Sequence, residues 1–143
     1  MPRDPEDNGH EPRALALPGV ITLESSFSVD KLLRRVVAHV QSLGLEIFTV
    51  IDHSGEADEV GLTMPDTKLV LFGNPRGGTP LMLAHPLVAL DLPLKLLIWT
   101  SADDRVFLSY NAPTYLANRF ELSKEETNVV GVVEAIARTV ATD

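Results

Sequence analysis

Between Val29 and Leu43, seven apolar residues (Val29, Leu32, Leu33, Val36, Val37, Val40 and Leu43) fall on one stripe, with Asp30, Arg34, Arg35, His39 and Gln41 away from it. That spacing predicts a helix with one apolar face, and such a helix is stable only against something that covers the face. Ser28 stands where a side-chain oxygen caps the first free amides, and Gly44 where a left-handed residue ends the helix. Strand-like segments flank it. Gly19 to Ser25 alternates, and Leu45 to Ile51 is almost continuously apolar. A strand, a one-sided helix and a second strand in succession commit the chain to a sheet with helices packed on it.

The remainder extends this pattern. Lys68 to Phe72 reads as a third strand, apolar like the second, and the two are expected to lie centrally or to be covered on both faces. The short acidic stretch from Ser54 to Leu62 between them predicts one or two helical turns. Thr79-Pro80 offers a cap and a first-turn proline for a helix to about Leu90, bent or split by Pro86. Pro93 to Thr100 and Arg105 to Asn111 predict a hairpin across Ser101-Ala102-Asp103-Asp104. Pro113 to Phe120 reads as a short helix. Ser123-Lys124-Glu125-Glu126 is a capping box opening a last helix with Val129, Val130, Val133, Ile136, Ala137 and Val140 inward. The expected fold is α+β: a single mixed β-sheet of about five strands with helices packed on it. Residues 1–18, with four prolines among polar residues, are expected to be a flexible tail, and residues 19–143 a single domain.

Composition narrows the function classes. A chain of 143 residues with 45% hydrophobic content can bury a sizeable core. Twelve basic residues against twenty acidic ones give a net charge of -8, which repels phosphate backbones and anionic lipid. Neither nucleic acid nor a membrane is therefore expected as a partner. The absence of cysteine excludes disulfides, thiolate catalysis and thiolate metal ligation. No run of eighteen apolar residues and no signal-peptide pattern occurs, so the expected location is the cytoplasm.

Several constellations are candidates for a site. The segment Phe72-Gly73-Asn74-Pro75-Arg76-Gly77-Gly78-Thr79-Pro80 runs from a strand end to a helix start. Free amides and Arg76 there could hold an anion, or the glycines could simply serve a sharp turn. It matches neither the dinucleotide fingerprint nor a phosphate-binding loop. Lys95 shares its strand face with Leu97 and Trp99, where a lysine is costly unless Asp91 or Asp52 pairs with it or its stem reaches water. His53, Glu56 and His85 could form a divalent-metal site only if the fold brought them together. Tyr110 and Asn111 end the hairpin as a possible ligand rim. Gly-x-Ser-x-Gly is absent, and no complete catalytic constellation is present.

Taken as a set, Gly44-Leu45-Glu46-Ile47-Phe48, Ile51-Asp52-His53, Phe72-Gly73-Asn74-Pro75, Gly78-Thr79-Pro80-Leu81-Met82, Leu90-Asp91-Leu92-Pro93-Leu94-Lys95 and Tyr110-Asn111 resemble the prokaryotic family known as domain of unknown function 302. The resemblance covers about residues 20–141. It implies a compact α+β domain, frequently dimeric, and no settled activity or cofactor. Asp52, His53, Gly73, Asn74, Asp91, Lys95, Tyr110 and Asn111 match the family pattern, while Arg76-Gly77 and the tail lie outside it. The functional expectation is a non-enzymatic binding or regulatory domain acting as a homodimer. The alternatives are a small-ligand or anion-binding protein, an enzyme among the readings left open, with its site at Gly73–Thr79, Lys95 and Tyr110, or a divalent-metal domain.

Overall fold

The computed structural model describes residues 17–143, so most of the expected tail lies outside the described residues. Strand β1 (Val20–Ser25) leads into helix α1 (Val29–Ser42), then β2 (Glu46–Asp52), α2 (His53–Glu59) and β3 (Thr67–Gly73). Helix α3 (Pro75–Ala84) and a 3₁₀ segment (Pro86–Asp91) follow, then β4 (Leu94–Thr100), β5 (Val106–Asn111), α4 (Pro113–Phe120) and α5 (Lys124–Val140). The five strands form one sheet in the order β1-β5-β4-β3-β2.

All four pairings are antiparallel, which corrects the expectation of a mixed sheet while leaving the α+β class intact. The crossover through α1 does join two strands running the same way, but it carries β2 to the far edge. Three strands then stand between β1 and β2, and no parallel pair forms.

One face of the sheet holds the core. Leu32, Val36 and Val40 of α1 and Val130, Val133, Ile136 and Ala137 of α5 are buried against Val70, Phe72, Leu96, Ile98 and Leu108. Helix α1 is capped by Ser28, whose hydroxyl accepts from the Lys31 amide, and Gly44 follows it at φ +74°. At α5 both arms of the capping box are made: the Glu126 amide donates to Ser123 Oγ, and the Ser123 amide to Glu126 Oε1. The opposite sheet face shows half-buried side chains, Leu69 and Leu71 of β3 and Lys95, Leu97 and Trp99 of β4, in alternation with the core.

Two expectations about local structure are overturned. Strand β3 is interior, but β2 is an edge strand, with Phe48 49% and Val50 36% exposed. Its register against β3 shifts between Ile47 and Thr49, a bulge at Phe48 that leaves this residue without a partner. A bulged edge strand shows the same largely apolar run as a central one. Helix α3 begins at Pro75 rather than after Thr79, because Asn74-Pro75 is itself a cap followed by a first-turn proline. The Asn74 carboxamide oxygen accepts from the Arg76 amide at 3.0 Å. The helix ends at Ala84 and Pro86 opens a 3₁₀ segment to Asp91, the split expected at that proline.

These placements separate two phenylalanines that the sequence pattern treats alike. Phe72→Ala is expected to cost about 3–5 kcal/mol in urea unfolding, as for a fully buried ring. Phe48→Ala should cost about 1 kcal/mol or less, as for a half-exposed position. Equal costs would contradict the edge placement of β2.

Candidate functional site

The candidate residues fall into three places. The first is a cavity of about 420 Å³ between the start of α3, the β2–β3 end of the sheet, the Leu92–Leu94 turn and α5. Gly73 and Asn74 line it, with Phe48, Met82, Leu92, Val129 and Val132 supplying apolar walls. Gly77 and Gly78 lie inside α3 and not in a loop. A glycine within a helix costs roughly 1 kcal/mol relative to alanine. A Cβ on Gly77 would touch Val129 Cγ1 at 3.4 Å, and one on Gly78 would meet Met82 and Leu92 at 3.9 and 4.0 Å. The missing side chains are therefore part of the space. The turn at Leu92-Pro93, whose peptide bond is cis, closes the other side.

This helix start is not organised for an anion. The Arg76 amide is used by Asn74 Oδ1, and the amides of Gly77 and Gly78 both donate to the Asn74 carbonyl. The Arg76 side chain is exposed and does not line the cavity.

The second place is the β4–β5 end. Asp91, Lys95 and Asn111 line one small gap with Leu94, Leu116 and Val133, of a size that suits a single water. Lys95 Nζ donates to the Pro93 carbonyl at 2.8 Å. Burial lowers the Lys95 pKa, and the charge of Asp91 opposes the shift. Asp91 is itself paired with Arg119, Oδ2 to Nη1 at 3.4 Å, without a hydrogen bond to that buried oxygen. Tyr110 is turned to the core, 3% exposed, and its hydroxyl makes no hydrogen bond of normal length. Burial raises its pKa, the Glu134 carboxylate adds to the rise, and Arg138 opposes it.

The third place is the opposite end of the sheet. Asp52 caps α2, accepting from Ser54 Oγ at 2.7 Å and the Gly55 amide at 3.0 Å, and these bonds lower its pKa. Lys68 bridges Asp66 at 2.9 Å and Asp52 at 3.4 Å. The register sets Asp52 beside Lys68 and Ile98, two strands across and three residues along from Lys95. That is about 14 Å between backbones, so neither Asp52 nor the adjacent, exposed His53 meets Lys95. His85 bonds Glu126 through Nε2 at 2.8 Å, on the α5 side of the domain. Among the described residues, no three His, Asp or Glu side chains are grouped to hold a metal, and His53, Glu56 and His85 do not come together.

The structure thus joins Gly73 with Asn74, and Asp91 with Lys95 and Asn111, in separate cavities. The apolar walls of the larger cavity escaped the sequence reading because each passes for core. The legible signal was the Gly77-Gly78 pair, which a helix tolerates only for the room it leaves.

An antiparallel five-stranded sheet with α1 and α5 packed on one face and an apolar cavity at the sheet end defines a small α+β fold. A family model described as "Domain of unknown function DUF302" matches residues 21–142, and the chain belongs to that family. The crystal structure of an uncharacterized conserved DUF302 protein from Bacillus stearothermophilus aligns with a TM-score of 0.73, covering 87% of this chain and 97% of that one. At 15% identity this likeness shows the fold alone. A Brucella suis biovar 1 (strain 1330) protein named "Fluoride-specific ion channel FluC 1" is 42% identical over 104 residues, 73% of this chain and 41% of that protein. A Brucella melitensis biotype 1 protein named "Fluoride-specific ion channel FluC 2" is also 42% identical over 104 residues, 38% of its length. The chain spans about two fifths of these curated relatives. No helix among its described residues is long and apolar enough to cross a membrane.

Lys95 gives a pH prediction. A lysine with a lowered pKa releases its proton earlier in the folded than in the unfolded chain, so stability rises with pH between the lowered value and 10.5. Lys95→Met removes that titration. The melting temperature of the variant minus that of the parent should fall as pH is raised toward 10.5, measured by calorimetry. A difference that grows with pH would reverse the assigned shift.

Proposed function

We propose that this chain is a non-enzymatic binding domain whose ligand is a small, largely apolar molecule held in the cavity beside α3. The observation that carries the reading is the lining of that cavity. Its fourteen lining residues among those described bound about 420 Å³ and include no titratable side chain. Volume and lining both suit a small apolar ligand, with Asn74 and Thr79 available to orient it. The committed amides of the first turn of α3 favour an uncharged ligand over an anion.

A regulatory or accessory role in longer proteins belongs to the same reading. The support is that about two fifths of proteins named as fluoride channels resemble this chain, which shows no helix fit to span a membrane among its described residues. The ligand would then be what such a module senses.

The neutral fluorophore N-phenyl-1-naphthylamine tests the cavity. The parent chain should give a saturable rise in its emission. Gly78→Leu, whose Cβ would stand in ordinary van der Waals contact with Met82 and Leu92, should abolish the rise while leaving the melting temperature unchanged or higher. Undiminished emission in Gly78→Leu would remove the cavity from the reading.

A homodimer is the second part of the proposal. The outer side of β2 has no strand partner among the described residues, and Phe48 and Val50 are exposed along it. Light scattering at micromolar concentration should give twice the 15.6 kDa monomer mass, falling to one monomer in Val50→Lys. A parent chain with the monomer mass would end this part.

A further inference from the structure

The sheet face opposite the helices carries a second cavity, of about 460 Å³, which the preceding reading does not use. Its floor is Leu69 of β3 with Leu97 and Trp99 of β4, half-buried side chains that an antiparallel sheet facing water would ordinarily replace with polar ones. The polar groups in the middle of the floor satisfy each other. Thr22 Oγ1 and Ser109 Oγ lie 2.7 Å apart, and Trp99 Nε1 donates to Ser109 Oγ at 2.9 Å. The floor therefore offers apolar contact, not hydrogen bonds.

One rim differs. Among the described residues that line the cavity, Lys95 is the only charged side chain, and Asn111 stands beside it. Its ammonium carries three donors, of which the Pro93 carbonyl takes one. Four other cations of the domain have carboxylate partners: Lys68 with Asp66, Arg105 with Glu24, Arg119 with Asp91 and Arg138 with Glu134. No carboxylate lies within ion-pair distance of Lys95 among the described residues, because the Asp91 oxygen is taken by Arg119. A lone ammonium at the end of an apolar trough is the complement of an amphiphilic anion.

From this juxtaposition we infer that the open sheet face binds a small organic carboxylate, its charged end on Lys95 and Asn111 and its apolar body across Leu97 and Trp99. Burial of Lys95 lowers its pKa, and a bound carboxylate would supply the missing partner and raise it again. The site is separate from the α3 cavity, and either can fail without the other.

Trp99 is the single tryptophan of the chain and lies on the cavity floor, so its emission reports on this site alone. Full-length protein titrated with octanoate at neutral pH should show a saturable change in Trp99 emission. The matched neutral alcohol, 1-octanol, should bind at least about tenfold more weakly, the loss of one charged hydrogen-bonded pair. Lys95→Gln keeps a donor for the Pro93 carbonyl and should weaken octanoate about tenfold while leaving octanol unchanged. Gly78→Leu should leave the octanoate response intact. The inference is overturned by any of three results: no saturable response to octanoate, equal affinities for octanoate and octanol in the parent chain, or loss of the response in Gly78→Leu. The parent comparison needs no variant to fold.

Discussion

The packing of α1 and α5 onto the same side of the sheet is the constraint on which the remaining features rest. Leu32, Val36 and Val40 from one helix and Val130, Val133 and Ile136 from the other meet Phe72, Leu96, Ile98 and Leu108, all of them fully or almost fully buried. Because both helices use one face, neither covers the other face, and the two ends of the sheet must be closed by short elements. The cavity beside α3 and the trough over Trp99 are both consequences of that one-sidedness. The first lies where α3 and the Leu92-Pro93 turn plug the sheet end incompletely, the second where nothing in α1 or α5 reaches.

Smaller contacts fix how the second layer sits. Arg35 on α1 donates from Nε to the Val140 carbonyl at 3.0 Å, and Ser25 Oγ donates to the Ala141 carbonyl at 2.6 Å. The end of α5 is thereby tied to both β1 and α1. At its other end, Glu126 serves two elements: it completes the capping box with Ser123 and receives His85 from the segment after α3. Its pKa is lowered by these bonds, the Ser123 amide first. One carboxylate thus couples the start of α5 to the wall of the α3 cavity.

Much of the fold was legible because its signals are local. Ser28, Gly44 and the Ser123–Glu126 box act within a few residues of themselves, and each occurs as the sequence predicts. The failures share a cause: the deciding partner was distant in sequence or absent from the pattern. A largely apolar run at Leu45–Ile51 cannot reveal that a bulge lifts Phe48 out of register at an edge. Asn74-Pro75 and Thr79-Pro80 carry the same capping signature five residues apart, and only the side-chain bond to the Arg76 amide separates them. For the sites, the family-like residues were visible, but their division between two cavities was not. Strand register decides that division, and nothing short-range encodes the register of β3 against β4 across α3.

The strand order carries a consequence for how the chain is made. Strands β2, β3 and β4 are neighbours in order, and β4 meets β5 through a short hairpin, so four strands assemble from contacts close along the chain. Among the described residues strand β1 has no neighbour except β5, pairing Val20 with Asn111 and Ser25 with Val106. At ribosomal speeds of roughly 5–20 residues per second, strand β1 waits several seconds or more for β5 to exist. Throughout that interval α1 holds an apolar stripe with neither β4 nor α5 to cover it. Strand β1 and helix α1 therefore stay unplaced until much of the chain that follows them has been made, and their apolar surface is open to chaperones and to misassociation in that interval.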